Sequence, residues 1–302
     1  MDLLQELEQA AQCLDCKILR NEPMSRHTTF RIGGPADLFL IVNDKSALRE
    51  VCRKAQELEV KFYPLGNGSN LLVSDAGIRG AVVSLGKGFQ KVEPCGQDEL
   101  ECGAGVSLGK LCKFAQRHSL SGMEFAWGIP GSAGGAAFMN AGAYEHSMSE
   151  VVSACSHVSS QGKVGILKGN HLQFGYRQSA YTGNGCVITS IRLKLKRGDA
   201  DQITARMQEL YQRRTSKQPL EMPSAGSIFK RPAGYYAGAL IEQCGLKGRR
   251  VGGAMVSGKH AGFIVNAGGA TCSDVLRLIE LIQTTVCRQT GVQLECEVKR
   301  IG

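Results

Sequence analysis

The sequence predicts an α+β protein of two domains, and three observations carry that prediction. Short strand-like runs and a few amphipathic helical segments interleave along the chain. One stretch, Gly128-Ile-Pro-Gly-Ser-Ala-Gly-Gly-Ala-Ala-Phe-Met-Asn-Ala-Gly-Ala-Tyr144, is almost free of bulky and charged side chains. The texture changes at Gly198-Asp-Ala-Asp201, where a new helix opens, which sets a boundary between 1–197 and 198–302.

Residues 3–14 have helical apolar spacing, and the opening helical segment is taken as 1–20, before a core of 24–197. Residues 23–35 carry turn signals and no period. Residues 36–42 read as a strand, and 46–59 as an amphipathic helix with Ser46 as its N-cap. A strand at 61–65 ends in Gly66-Asn-Gly-Ser-Asn70, and 71–73, 80–85, 90–93 and 100–102 read as further short strands. A helix follows at 107–118. Beyond the glycine-rich stretch, 151–159 and 164–167 form a hairpin, and 186–196 is a longer β-branched strand. The second domain opens with a helix at 199–215. It continues with a strand at 227–230, a helix at 236–244, and strands at 251–256 and 262–266. A helix at 273–290, with Leu276, Ile279, Leu281 and Ile282 turned inward, precedes a last strand at 292–301.

Of 302 residues, 43% are hydrophobic and 21% charged, the balance of a globular chain with a sizeable core. Glycine, at 38, is far above its usual share, so backbone turns matter here. The net charge of +9 suits a phosphate-bearing small ligand; a generally basic protein is the plainer reading. The basic residues are scattered, which argues against a nucleic-acid surface. Met1-Asp-Leu-Leu-Gln-Glu6 reads as an acidic helix start and not as a signal peptide, and no apolar run is long enough to span a bilayer. The expectation is a cytoplasmic protein whose 12 cysteines are reduced. Cys13-Leu-Asp-Cys16 has no second pair, so no metal site is expected.

Glycine lets another group approach the backbone closely, and Pro130 sets a turn. The stretch 128–144 therefore reads as a buried loop with bare N–H groups for a phosphate or a flat polar ring. Gly66–Asn70, between two strands, reads as a second phosphate cradle. Neither is a dinucleotide fingerprint, and Gly103-Ala-Gly-Val-Ser-Leu-Gly109 misses that pattern by one residue. A large cofactor with a pyrophosphate and a planar ring would use both cradles. Phe174-Gly-Tyr-Arg-Gln-Ser179 sets Arg177 among aromatic and small residues; an ordinary surface turn is the other reading. Pro223–Pro232 is Gly/Ser-rich and basic, but no G-x-S-x-G elbow is present and no His stands at an evident partner position, against a Ser–His–Asp hydrolase. Glu295 and Glu297 would share one face of the last strand, where like charges are usually solvated; a cleft there would favour the protonated form of one of them.

Seven motifs occur in order: Thr29-Phe-Arg-Ile-Gly-Gly-Pro35, Pro64-Leu-Gly-Asn-Gly-Ser-Asn-Leu-Leu72, Gly128-Ile-Pro-Gly131, Met139-Asn-Ala-Gly-Ala-Tyr144, Tyr176-Arg177, Ala225-Gly-Ser-Ile-Phe229 and Glu297-Val-Lys-Arg-Ile-Gly302. Together they closely resemble the flavin-dependent UDP-N-acetylenolpyruvoylglucosamine reductases, the MurB family. The resemblance implies an FAD-binding domain of the vanillyl-alcohol oxidase and p-cresol methylhydroxylase (PCMH) type and a small C-terminal α/β substrate domain. It implies that FAD is held by Gly66, Asn67, Gly68, Ser69 and Asn70 and by Gly128, Ile129, Pro130, Gly131, Ser132, Gly134, Gly135, Asn140, Ala141 and Gly142. NADPH would reduce the flavin, and UDP-N-acetylglucosamine enolpyruvate would then take its place. Ser227 would be the proton donor, with Arg177 and Glu297 stabilising charge. Tyr176, Lys217 and Lys230 would contact the substrate, the two lysines as point charges for the diphosphate. No nucleic acid, membrane or obligate protein partner is implied. The family usually has Gly after the Tyr of Asn-Ala-Gly-Ala-Tyr, where this chain has Glu145. The span 230–244 is too short for the Tyr-bearing loop of one branch, so the chain resembles the branch without it. Two other readings are an oxidase on the same fold, which would have no need of Ser227 as proton donor, and a non-enzymatic nucleotide-binding or nucleic-acid-binding protein suggested by the +9 charge.

Overall fold

A computed structural model describes residues 3–302; Met1 and Asp2, part of the expected helix start, lie outside the described residues. In chain order the elements begin with α1 (Leu3–Gln12), β1 (Cys16–Pro23), β2 (Pro35–Val42), α2 (Lys45–Glu57), β3 (Phe62–Leu65), β4 (Leu71–Val73), β5 (Ile78–Leu85), β6 (Val92–Pro94) and β7 (Glu99–Gly103). Next come α3 (Leu108–Arg117), β8 (Leu120–Ser121), α4 (Ala133–Phe138), β9 (Gly142–Ala143), β10 (His146–Ser147), β11 (Val152–Val158), β12 (Val164–Lys168), β13 (Val187–Lys194) and β14 (Lys196–Arg197). The chain ends with α5 (Ala200–Lys217), β15 (Ser224–Ser227), α6 (Ala237–Gln243), β16 (Arg250–Val251), β17 (Ala254–Val256), β18 (Phe263–Asn266), α7 (Cys272–Thr290) and β19 (Lys299–Ile301).

These elements form two compact units, each assembled from separate segments. The first holds the residues up to Asn21, Asp37–Asn67 and Gly80–Gln212; the second holds Glu22–Ala36, Gly68–Arg79 and Arg213–Gly302. The structure thus divides the chain differently from the single cut expected at 197/198, and α5 runs unbroken through the point where the units part. A linear reading can cut only where texture changes, whereas packing joins segments far apart in sequence.

The first unit has a sheet of order β1-β2-β5-β3 and an antiparallel sheet of order β12-β11-β13-β7-β6. Leu38, Leu40 and Val42 of β2 pack with Leu7 of α1 and with Leu48 and Val51 of α2. A second cluster gathers Leu111, Met123, Phe125, Ile191 and Leu193. The opening helix stops at Gln12, short of residue 20, and β1 follows it. That edge strand is half exposed with no alternation, so it carries no periodic signal. The cap of α2 is Asp44, whose carboxylate accepts from the Ala47 N–H at 2.8 Å; Ser46, the expected cap, donates to the same carboxylate.

The second unit packs Phe30, Ile32 and Leu72 against Ile228, Phe229, Ile241, Leu278 and Ile282. Its antiparallel sheet runs β15-β18-β17-β16, and β19 pairs in parallel with β4. The strand expected at 251–256 is the hairpin β16–β17, with Val251 opposite Ala254. The last strand is confined to Lys299–Ile301, so Glu295 and Glu297 lie outside it. Residues 295–297 run instead beside 228–230, bonding Lys230 N–H to Glu295 O at 2.8 Å and Glu297 N–H to Ile228 O at 2.8 Å.

Candidate active site

In the first unit the glycine-rich stretch is not a loop throughout. Ser132 caps α4, its Oγ accepting from the Gly135 N–H at 3.3 Å. Several N–H groups expected to be bare are spent within the protein. Ala133 N–H goes to Val106 O at 2.7 Å and Gly134 N–H to Ala104 O at 2.9 Å. Those of Gly128 and Gly131 have no partner among the described residues. The two cradles meet, for a Cβ added at Gly66 would lie 2.7 Å from Ser132 Oγ.

The 174–179 segment is tied to the same stretch. Asn140 Nδ2 donates to Gly175 O at 2.9 Å, Ser179 Oγ to Phe138 O at 2.8 Å, and Arg177 Nη2 approaches Gly142 O at 3.5 Å. Arg177 has φ +57° and holds its guanidinium 5.1 Å from the exposed Tyr176 ring. Ile129, Pro130, Ala141 and Gly142 lie along this one surface segment, with Asn140 buried beneath it. The structure thus brings Tyr176 and Arg177 to the stretch expected to hold a flavin.

In the second unit the other half of the first cradle is bound to different partners. Gly68 has φ +60°, and a Cβ there would be 2.1 Å from His27 O, so only glycine fits. Thr29, from the first motif, donates its N–H to Gly68 O at 3.3 Å and its hydroxyl to Ser224 O at 2.7 Å. Asn70 Nδ2 donates to Glu297 O at 3.2 Å. Ser227 and Glu297 are neighbours, because Glu297 N–H bonds the carbonyl of Ile228, the residue after the serine. Ser227 Oγ donates to Phe229 O at 3.1 Å. Lys230 pairs with Glu295, which offsets part of its charge, while Lys217 is exposed at the end of α5.

The backbone N–H groups of Gly66, Asn67, Gly68 and Ser69 have no protein partner among the described residues. Gly66 and Asn67 in the first unit, and Gly68 and Ser69 in the second, thus each offer bare N–H groups that suit a phosphate, which fits a flavin dinucleotide. The buried Thr189 hydroxyl also has no partner; it lines a cavity of about 300 Å³ with Lys45, Lys91 and Glu101. Thr189 is not legible in the sequence because it sits at a β-bulge: Ser156 and His157 pair with Ser190 and Ile188, leaving Thr189 as the extra residue. Nor is His260, which lies near Ser227 although 33 positions away, since no spacing rule links them. The twelve cysteines are free, and burial pushes the thiols of Cys52, Cys102, Cys112 and Cys155 up to about 12, which leaves them poor nucleophiles. Among the described residues no group of His, Cys, Asp or Glu is placed to hold a metal, and no helix is long and apolar enough to cross a membrane.

Comparison with known proteins adds to this geometry. Residues 36–167 match the family described as an FAD binding domain, and 218–301 match the UDP-N-acetylenolpyruvoylglucosamine reductase C-terminal domain. The chain is 46% identical over 288 residues to the UDP-N-acetylenolpyruvoylglucosamine reductase of Pediococcus pentosaceus, covering 95% of each chain. It is 46% identical over 285 residues to that of Alkaliphilus oremlandii, covering 94% of this chain and 93% of the relative. Among solved structures, the Thermus caldophilus reductase aligns with TM-score 0.82 at 36% identity, over 95% of this chain and 99% of that one. A berberine bridge enzyme variant aligns with TM-score 0.51 at 15% identity over 66% of this chain and 44% of its own, a likeness of fold alone.

Proposed function

Because the chain belongs to the UDP-N-acetylenolpyruvoylglucosamine reductase family, we propose that it converts UDP-N-acetylglucosamine enolpyruvate to UDP-N-acetylmuramate, with FAD as carrier and NADPH as reductant. When bound and reduced, FAD supplies the hydride that C3 of the enolpyruvyl group receives. The chain's residues handle what remains. Charge develops at C2 and spreads into the adjacent carboxylate, where Arg177 stabilises it. Glu297 assists there, a role open to a carboxyl that carries its proton, since only that form donates a hydrogen bond to an anion. Ser227 then gives its hydroxyl proton to C2. Tyr176, Lys217 and Lys230 hold the sugar nucleotide, the lysines at its diphosphate. The work is that of a cytoplasmic enzyme of peptidoglycan precursor synthesis.

The bond from Glu297 N–H to the carbonyl of Ile228, the residue after Ser227, carries this reading, because it brings the backbone of the two residues together. The test is spectroscopic. Purified protein should be yellow, bleach with NADPH, and recover its colour anaerobically on addition of the enolpyruvyl sugar nucleotide. Ser227→Ala should bleach normally but form product about 10²–10⁴-fold more slowly. Product formation at the wild-type rate would remove the serine from the mechanism. Recovery only in air, with a sugar serving as reductant, would indicate an oxidase.

A further inference from the structure

We propose that His260 is a positioning residue for Ser227, supplying through its Nε2–H the hydrogen bond that holds the serine oxygen as the proton leaves for C2. The inference rests on the assignment of Ser227 as proton donor. In the resting structure the Ser227 hydroxyl points at an acceptor, Phe229 O, 3.1 Å away. That carbonyl repels an alkoxide, so the departing proton leaves an oxygen in need of a donor. Two nearby backbone donors are committed: Ile228 N–H to Gly262 O at 3.0 Å, and Gly262 N–H to His260 Nδ1 at 3.1 Å.

The second of these bonds decides the tautomer. With Nδ1 accepting, a neutral imidazole carries its proton on Nε2. Burial disfavours the charged ring, and Lys247 and Lys217 act in the same direction. Nε2 has no hydrogen-bond partner among the described residues. The ring is held at an angle of 69° to Phe263, with centroids 5.1 Å apart. Its position is set by Gly262: a Cβ built there would lie 3.0 Å from His260 Cε1, 3.1 Å from Nδ1 and 3.5 Å from Ser227 Oγ. Imidazole and hydroxyl therefore flank the space of one missing methyl group, with Cε1, the carbon bonded to Nε2, the ring atom nearest that space. In the step itself the Ser227 O–H bond breaks, C2–H forms, and the electron pair stays on the serine oxygen. His260 keeps its proton throughout, and the serine regains one from water.

The test measures the two half-reactions separately in the FAD-loaded enzyme. His260→Ala should leave flavin reduction by NADPH unchanged and slow product formation by about 10–100-fold, with little change in KM for the sugar nucleotide; loss of one donor to a developing oxyanion costs about 10²–10³-fold when direct. His260→Gln, which retains a donor, should recover most of the rate. In a Ser227→Ala background, His260→Ala should add nothing. An undiminished effect in that background, or a raised KM at unchanged kcat, overturns the inference while leaving the serine's role intact. Normal product formation by Ser227→Ala overturns both. Should His260→Ala fail to fold, Gly262→Ala displaces the ring instead and should slow the same step, again only while Ser227 is present.

Discussion

Four residues at the candidate chemistry have left-handed backbone: Asn140 has φ +43°, Tyr144 +56°, Glu145 +68° and Arg177 +57°. Such residues cost about 1–2 kcal/mol unless their side chains bond locally. Asn140 does so, its Oδ1 accepting from Ser149 N–H at 2.9 Å. Glu145, the departure from the family motif, occupies a conformation that glycine adopts without strain. Glu145→Gly should therefore stabilise the protein by about 1 kcal/mol and raise Tm by about 2 °C, with unchanged FAD content. A lowered Tm would show that the exit of this loop is held by something other than backbone preference. Arg177→Ala should depress turnover far more than it depresses bound flavin, read as absorbance per protein; apoprotein as the main product would move Arg177 into the cofactor site. The residue types at these positions are legible from motif alone. Their φ values are not, because only the folded loop imposes them.

At the scale of elements, α4 hides inside the most conspicuous stretch of the sequence. Gly134 and Gly135 each weaken a helix by about 1 kcal/mol, so local propensity reads a loop. Its capping by Ser132 and its anchoring to Ala104 and Val106 outweigh that propensity. Ser132→Ala should cost about 1 kcal/mol of stability, measured by urea melts, and weaken flavin retention through the same turn. Helix α7 carries a full capping box. Thr271 Oγ1 accepts from Asp274 N–H at 3.0 Å, and Asp274 Oδ2 accepts from Thr271 N–H and Gly253 N–H, each at 3.2 Å. The Thr271 N–H bond, then those of Gly253 and Arg277, holds the Asp274 carboxyl below its ordinary range against the opposing effect of burial. A depressed folded pKa stabilises above the unfolded value, about 3.9, and that stability is lost as pH falls through the lower folded value. Asp274→Asn should accordingly weaken the protein at neutral pH and flatten the fall in stability below about pH 4.

For the whole molecule, the interleaved units make a strong demand on any attempt to divide the chain. Phe30, Ile32 and Leu72 belong to the core of the second unit, and Asp75 accepts from the N–H groups of Cys272 and Ser273 at 2.7 and 2.9 Å. A fragment of 198–302 lacks all of them. Each lost apolar side chain removes about 1.5–3 kcal/mol of burial, together comparable to the about 5–15 kcal/mol that a native protein has. The fragment should fail to show a cooperative thermal transition by circular dichroism, although its sequence alone looks like a compact α/β domain. A sharp transition in the isolated fragment would mean that the two distant segments are dispensable.

The sequence by itself determined the family, the flavin, most of the helices and strands, and the residue types at Ser227, Arg177 and Glu297. These are carried by short motifs whose chemistry is local, such as bare glycine backbone, a hydroxyl after Ala-Gly, or an arginine after tyrosine. Tertiary structure alone decided which segments share a core, that Glu297 is held by the Ile228 carbonyl and not by a strand, and that His260 stands beside Ser227 across the space of Gly262. The physical reason is that burial and long-range backbone pairing depend on three-dimensional contact, and no spacing along the chain encodes a contact between residues that meet only when the core closes.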